Sequence, residues 1–486
     1  MYVLKRLHLS QVVLALLLLL AVLPTSRPVL AQDPQPDGPV YIVQEGDSLW
    51  DIAVRFRVSM DALAAANGIT NPNQLVLGAR LRIPGLTGIQ GVLTTQTIGF
   101  GQSLRSISRQ LQVPQETLIQ LNHLSSPSEL YVGSTLVIPQ PEEPLTATRR
   151  ASLAPGQSLL ELAILNNTSP WSFVRANRLP GSSAALPGDV LHLPDASQPA
   201  AEAAAAPGAL PGAIQSIAIT PAPLVQGRVA AIQLTGLPGM QMGGALNEKP
   251  LNIFPDGEGS YAGLQGLHAM TEPGLYTLAL TGTLPAGAPY FGAPFAFSQG
   301  VLVRAGNYPL DPVLIVSPET IDPAVTEPEN AEWAALTTPV TPERLWQGQF
   351  ISPAPPPFDT CWPSGFGNRR SYNGSAYQYF HSGLDFCGGV GTQILAPAAG
   401  RVVFAGPLTV RGNATVIDHG WGVYTGYLHQ SEILVQAGDL VQPGQLIGKV
   451  GGTGRVTGPH LHWEVWAGGV QVDPLDWLEQ VFPPAP

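Results

Sequence analysis

Five of the chain's nine histidines, His381, His419, His429, His460 and His462, fall within one stretch of a sequence that is only 12% charged. In "HLHWEVW" (His460–Trp466), His460, His462 and Glu464 alternate with Leu461, Trp463 and Val465. That alternation predicts a half-buried strand with both imidazoles on one face. On a helix, residues two apart would point about 200° away from each other and could not share a site. "FHSGLDF" (Phe380–Phe386) reads the same way: His381, Gly383 and Asp385 face one side of a strand, and Gly383 leaves room between the two polar heads. Two histidines and a carboxylate are the ligand set of a hydrolytic zinc site, whose fourth position is left for water. Zinc lowers the pKa of such a water to about 7. A general base must stand beside it, and His429 and whichever of His460 and His462 does not ligate are available. A neutral imidazole in that role is worth about 10²–10⁴ in rate.

The elements that position these groups belong to a long, composite chain. Its 486 residues suit about three to five domains. With 53 glycines, 49 prolines and 44% hydrophobic residues, several small, turn-rich, mostly β modules are expected rather than one helical domain. The net charge of −11 argues against a nucleic-acid or acidic-lipid partner, which would call for a basic face. Lys5 and Arg6, the apolar run Val12–Leu23 and the small residues of "VLA" (Val29–Ala31) read as a signal peptide over 1–31, cleaved after Ala31. The location expected is therefore extracytoplasmic (secreted, cell-wall or periplasmic), with an uncleaved N-terminal anchor as the alternative. No membrane span is expected after cleavage, because no other stretch is long and apolar enough. In an exported chain the two cysteines, Cys361 and Cys387, suggest a disulfide. The alternatives are free thiols or a metal role for Cys387, two residues after Asp385.

The N-terminal part repeats. "GDSLWDIA" begins at Gly46, "GQSLRSIS" at Gly101 and "GQSLLELA" at Gly156, a period of 55 residues. The same offset links Asn67, Asn122 and Asn177, then Gly78, Gly133 and Gly188, then Pro84, Pro139 and Pro194. Each unit reads as strand, two short helices, strand, with Ser48 and Ser59 as candidate helix caps. Residues 40–85 resemble a LysM domain, a βααβ module that binds N-acetylglucosamine-containing glycans. The resemblance implies sugar contacts at Gly46, Asp47, Ser48 and Leu49 and, in the loop Ile69–Leu75, at Asn71 and Asn73. Residues 94–140 and 149–195 are degenerate copies, in which Gln102 and Gln157 replace Asp47 and the second loop differs. "DASQPAAEAAAAPGALPG" predicts a linker over 196–212. Short apolar runs between Gly and Pro turns predict an Ig-like β-sandwich over 213–306, where His268 is given a structural or surface role. The Pro- and acid-rich segment 307–344 reads as a linker or as wrapping of the last domain.

From about 345 to 482 the chain resembles the zinc metallopeptidases of the lysostaphin/LytM type, family M23. "SGFGNRR", "HSGLDF", "GTQILAPAAGRVV", "VIDHGWGVYTGYLH", "VQPGQLIGKVGGTG" and "TGPHLHWEV" carry the match. The resemblance implies a mainly β peptidase domain with one zinc ion on His381, Asp385 and His462, and His429 and His460 as the catalytic pair. His419, in "DHG", is a framework position. Gln430 stands where the family more often has leucine. "VQAGDLVQPGQLIGKVGG" also looks like a biotin- or lipoyl-carrier roll, but Lys449 then falls inside a strand and the histidines go unexplained. The combination implies an exported endopeptidase of peptidoglycan, acting on cross-links or stems and held there by LysM contacts. The alternative is a non-catalytic peptidoglycan-binding regulator with a cell-wall amidase as partner.

Overall fold

A computed structural model describes residues 38–140, 150–193 and 210–485, apart from positions 74, 87, 127, 128, 155, 188, 212, 286–291 and 293. The signal peptide expected over 1–31 lies outside the described residues, as does nearly all of the linker expected over 196–212. No helix among the described residues is long and apolar enough to cross a membrane. The chain forms two compact units, one reaching to Thr94 and including Pro139–Glu143, the other comprising Thr95–Ile138 and Pro144–Pro486.

In the first unit, strand Val40–Ile42 pairs antiparallel with Arg80–Arg82 around helices α1 (Leu49–Arg55) and α2 (Met60–Ala66). Ser48 and Asp51 form a reciprocal cap on α1, and Ser59 caps α2. The second unit opens with two further pairs of helices, α3 (Leu104–Leu111) with α4 (Gln115–Asn122) and α5 (Leu159–Leu165) with α6 (Pro170–Ala176). The repeated asparagine does the same work in each copy. Asn67, Asn122 and Asn177 donate to a carbonyl four residues back and to one fifteen residues on, at 2.8–3.0 Å. Each also accepts from the backbone N–H of that later residue, at 2.6–2.7 Å. One side chain thus ties the second helix to the closing strand of its own repeat.

The middle of the chain folds as two sheets over one core. Lys249–Asn252, Gln241–Leu246, Gly274–Thr283, Pro294–Arg304 and Leu224–Val225 form one sheet in that order. Phe254–Pro255, Ser260–Gly266, Val229–Gly236 and Ile214–Thr220 form the other. Ile232, Leu234, Leu246, Leu278, Leu280 and Val301 are buried between them.

The C-terminal region is built on a nine-stranded antiparallel sheet: β1 (Leu384–Phe386), β2 (Gln393–Leu395), β3 (Gly400–Leu408), β4 (Gly412–Gly420), β5 (Val423–Ile433), β6 (Leu440–Val441), β7 (Leu446–Val450), β8 (Leu461–Ala467) and β9 (Val470–Val472). The main path runs β1-β8-β5-β4-β3-β6, with β9 on β8, β7 on β5 and β2 on β7. Leu461, Trp463 and Val465 enter the largest core beside Trp346, Phe350 and Trp477. Val229, Ala231, Ala262 and Leu264 of the middle sandwich belong to that same core.

Two expectations change here. "FHSGLDF" is not one strand: Tyr379–Phe380 pairs with Arg369–Arg370, the ladder breaks at His381–Gly383, and β1 begins at Leu384. A Cβ on Gly383 would stand 2.3 Å from the Trp463 carbonyl oxygen and 2.8 Å from Nε2 of His462. The glycine therefore makes room for β8 and its histidine rather than for a gap between His381 and Asp385. The strand β8 is buried on both faces rather than half-buried. What covers its polar face comes from 307–344, which is wrapping and not a free linker. Helix α7 (Pro323–Thr337), capped by Asp322, buries Trp333 against Val416, Tyr424, Leu428 and Trp466. Gly426 lies under that indole, where a Cβ would come within 3.0 Å of it.

Candidate metal centre and catalytic cleft

The ladder sets two of the three predicted ligands face to face. Asp385 on β1 is the register partner of His462 on β8, and directly opposed residues of antiparallel strands project to the same side. His381 reaches the same point from the break before β1, where its backbone N–H bonds to Asn368 and its carbonyl accepts from Gly367, both at 2.8 Å. His381 Nε2 lies 2.9 Å from Asp385 Oδ1 and 2.9 Å from His462 Nδ1. His462 Nδ1 is 2.8 Å from the same carboxylate oxygen. All three residues are buried, and they are the one such cluster among the described residues.

Proton bookkeeping tests whether this cluster fits a cation. His381 Nδ1 faces the Gly365 carbonyl at 2.7 Å and must carry the hydrogen, so Nε2 presents its lone pair. His462 Nε2 faces Glu464 Oε1 at 3.4 Å and Ser382 Oγ at 3.3 Å, so its hydrogen sits there and Nδ1 presents a lone pair. Two ring lone pairs and a carboxylate oxygen thus converge with no hydrogen to share, an arrangement that a cation satisfies and that two nitrogens and an oxygen suit to zinc. The electrostatics agree. Burial alone would raise the Asp385 pKa, but His381 and His462 hold it well below the usual carboxylate range. Burial alone would lower the His462 pKa, but the carboxylates of Asp385 and Glu464 bring it above the usual histidine value, so this spot favours positive charge.

His429 and His460 share a different arrangement. His429 Nδ1 donates to the Thr453 carbonyl and His460 Nδ1 to that of Gly458, each at 2.8 Å. Both rings therefore leave Nε2 free as an acceptor. Their centroids are 5.2 Å apart, and His460 Nε2 is 3.5 Å from Asp385 Oδ1. Burial first, then the neighbouring His462 and His460, push the His429 pKa down to about 3, so it is neutral at physiological pH. His419 lies elsewhere: its Nδ1 donates to Ala399 at 2.7 Å, and Nε2 accepts from Thr425 at 2.8 Å, which fits a framework position. His268 packs edge-on against Phe380 at 4.9 Å. Cys361 and Cys387 are joined as a disulfide, which leaves no thiolate for a metal.

Several site residues carried no assignment in the sequence. Glu464 follows His462 by two on the same face, and that alternation was its only signal. Its carboxylate, pushed down to about 2 chiefly by His462 against burial, accepts from Ser382 Oγ, Trp333 Nε1, Trp466 Nε1 and Gln471 Nε2 at 2.7–3.0 Å. Arg370 donates to Asp311 Oδ2 and to Ser364 Oγ, each at 3.1 Å, and stands 3.6 Å from Asp385 Oδ2. Asp311 comes from 307–344, whose Leu310 and Leu314 bridge to Arg369 and Tyr372.

The glycan candidates are placed less favourably. Leu49 is core and Ser48 is the helix cap. Asp47 turns inward, accepting from Tyr41 OH at 2.6 Å, Gln44 N at 2.8 Å and Arg55 at 3.1 Å. Gln102 and Gln157 take the equivalent backbone N–H at 2.9 and 3.1 Å, so the replacements keep this loop bond. Gly46, Asn71 and Asn73 are exposed, with Asn71 Oδ1 accepting from Asn73 N at 3.1 Å.

Comparison with known proteins finds matches at both ends of the chain. The model of peptidase family M23 matches residues 379–474, and that of the LysM domain matches 41–84 and 97–139. The chain thus carries an M23 peptidase domain and two LysM domains. Peptidoglycan DD-endopeptidase ShyA of Vibrio cholerae is 41% identical over 121 residues, 24% of this chain and 28% of that protein. DD-carboxypeptidase/endopeptidase Mpg of Neisseria meningitidis is 44% identical over 95 residues, 20% of this chain and 22% of that protein. The match therefore spans about a quarter of the length of these curated relatives. A solved M23 peptidase structure from Pseudomonas aeruginosa shares 28% identity, covers 53% of this chain and 94% of that chain, and gives a TM-score of 0.40.

Proposed function

We propose that this chain is an exported zinc endopeptidase that hydrolyses peptide cross-links or stems of bacterial peptidoglycan. The observation that carries the reading is the meeting of His381 Nε2, Asp385 Oδ1 and His462 Nδ1 beside two histidines whose Nε2 atoms stay free. When bound there, zinc supplies a Lewis acid for the scissile carbonyl and for water. The protein's own groups do the rest. His429 and His460, each pinned by its Nδ1–H, take a proton from the attacking water and return it to the leaving amine. Glu464 holds the His462 ring so that Nδ1 faces the ligand site. Relatives named DD-endopeptidases favour a DD cross-link over a glycine bridge.

The first LysM domain serves as the anchor to glycan. The second has another use for the same loop: Gln299, on strand Pro294–Arg304 of the sandwich that we read as Ig-like, accepts from Gly101 N at 2.6 Å and donates to Gly99 and Gln102 at 3.2 Å. In the third repeat, Asp189 and the Ala184 carbonyl hold Arg105 of α3 at 2.6–3.1 Å. Both later copies thus act as braces. Digestion of purified sacculi by the zinc-loaded protein, with new ends identified by mass, tests the reading. Release of muropeptides that His381→Ala abolishes supports it. Bound zinc without any release would favour the amidase-regulator alternative.

A further inference from the structure

Three arginines reach the cleft that holds His429 and His460, a cavity of about 550 Å³. Two have carboxylate partners. Arg370 is paired with Asp311, and Arg411 with Glu329 of α7 at 3.0 Å. Arg455 pairs with no carboxylate among the described residues. Its guanidinium is nonetheless held in place, donating to the Thr320 carbonyl at 3.1 Å and lying over the Tyr372 ring at 4.6 Å. Burial first, opposed by Tyr372 and more weakly by Glu329 and reinforced by the like charges of Arg411 and Arg370, keeps the Arg455 pKa below its ordinary value. An immobilised guanidinium on a cleft wall, with no carboxylate within ion-pair distance among the described residues, is a receptor for a planar anion, and a carboxylate fits its fork.

We propose that Arg455 receives a free carboxylate of the substrate, so that the cleft selects acidic peptides over their amides. The inference rests on the endopeptidase reading and extends it to substrate class. The loop that carries Arg455 also supplies the Thr453 carbonyl that pins His429 and runs directly into His460. One short segment therefore fixes the distance from the anchored carboxylate to the proton-transfer pair. A carboxylate at a chain end and one on a side chain offer the same chemistry, and the test separates them.

Cross-linked muropeptide dimers are prepared in three forms: all carboxylates free, the terminal carboxylate amidated, and the side-chain carboxylate amidated. With the zinc-loaded full chain, kcat/KM for the free acid should exceed that of one amide by roughly tenfold to a hundredfold, and the disfavoured amide names the carboxylate that binds. Arg455→Met should bring that ratio near one through KM, and Arg455→Lys should keep part of it, with zinc content and melting temperature recorded for each. A ratio near one in the unaltered protein, or a ratio that survives Arg455→Met, overturns the proposal. Failure of the zinc-loaded protein to cleave any dimer refutes the endopeptidase reading instead. Calorimetric binding of the same dimers then decides Arg455, with equal affinity for acid and amides counting against it.

Discussion

The four imidazoles of the site differ in which ring nitrogen is held, and that difference sorts them. Backbone carbonyls take Nδ1–H of His381, His429 and His460, whereas Glu464 and Ser382 face Nε2 of His462. His381→Ala should lose stoichiometric zinc, read by elemental mass spectrometry. His429→Ala should keep the metal and lose about 10²–10⁴ in turnover. The two histidines of H-x-H could not be told apart by alternation, because both face one way on a strand. The register does distinguish them, since Asp385 stands opposite His462. His419 offers a pH test away from the metal. Burial lowers its folded pKa from 6.5 to about 4. Between those values the unfolded chain binds the proton and the folded one does not, so acid favours unfolding. Its contribution is intact above pH 6.5 and declines towards pH 4, by about 3 kcal/mol in all. Denaturant titrations across that window should show a shallower slope for His419→Asn, and an unchanged slope would contradict the assignment.

Among the elements, α7 is the one whose importance composition concealed. Its two prolines and acidic residues resemble a tether, yet Glu329, Trp333 and Thr337 are buried four residues apart on one stripe. Glu329 accepts from the backbone of Val410 and Arg411, and the Arg411 guanidinium lies over the Trp333 ring at 4.8 Å. Trp333 also reaches Glu464, so the helix supports the carboxylate behind His462. Glu464→Gln should weaken zinc binding by about 10–100-fold, measured by competition with a chromophoric chelator. Trp333→Ala should cost about 3–5 kcal/mol in denaturant stability through the cavity that it leaves. The strand β8, by contrast, was legible because its period of two is strict. The break at His381–Gly383 was not, because it is imposed by the approach of Trp463 and His462 from a segment eighty residues downstream in the sequence, far outside the window of about 11–18 residues in which local pattern is read. The LysM period was legible for a local reason, the asparagine tie repeated in each copy.

Over the whole molecule, binding and cleavage divide between segments under the proposed function. Removing 38–85 should reduce retention on sacculi in a pelleting assay, while Gln299→Ala, which loosens a brace, should lower thermal stability and leave retention intact. Replacing Cys361 and Cys387 by serine should cost about 3.5 kcal/mol at most, since the bridge closes a loop of 26 residues. The middle sandwich and the peptidase sheet are harder to separate. Arg228 pairs with Asp476, Asp473 N donates to Gly227 at 2.7 Å, and Gln233 reaches the Pro484 carbonyl at 2.8 Å. Beneath these contacts lies the apolar seam to which Val229, Ala231, Ala262 and Leu264 contribute. A chimaeric lysin built from this chain must therefore be spliced upstream of Leu210. A cassette beginning at 345 would leave that seam wet, forfeit Trp333, and yield an aggregating fragment instead of a transplantable blade.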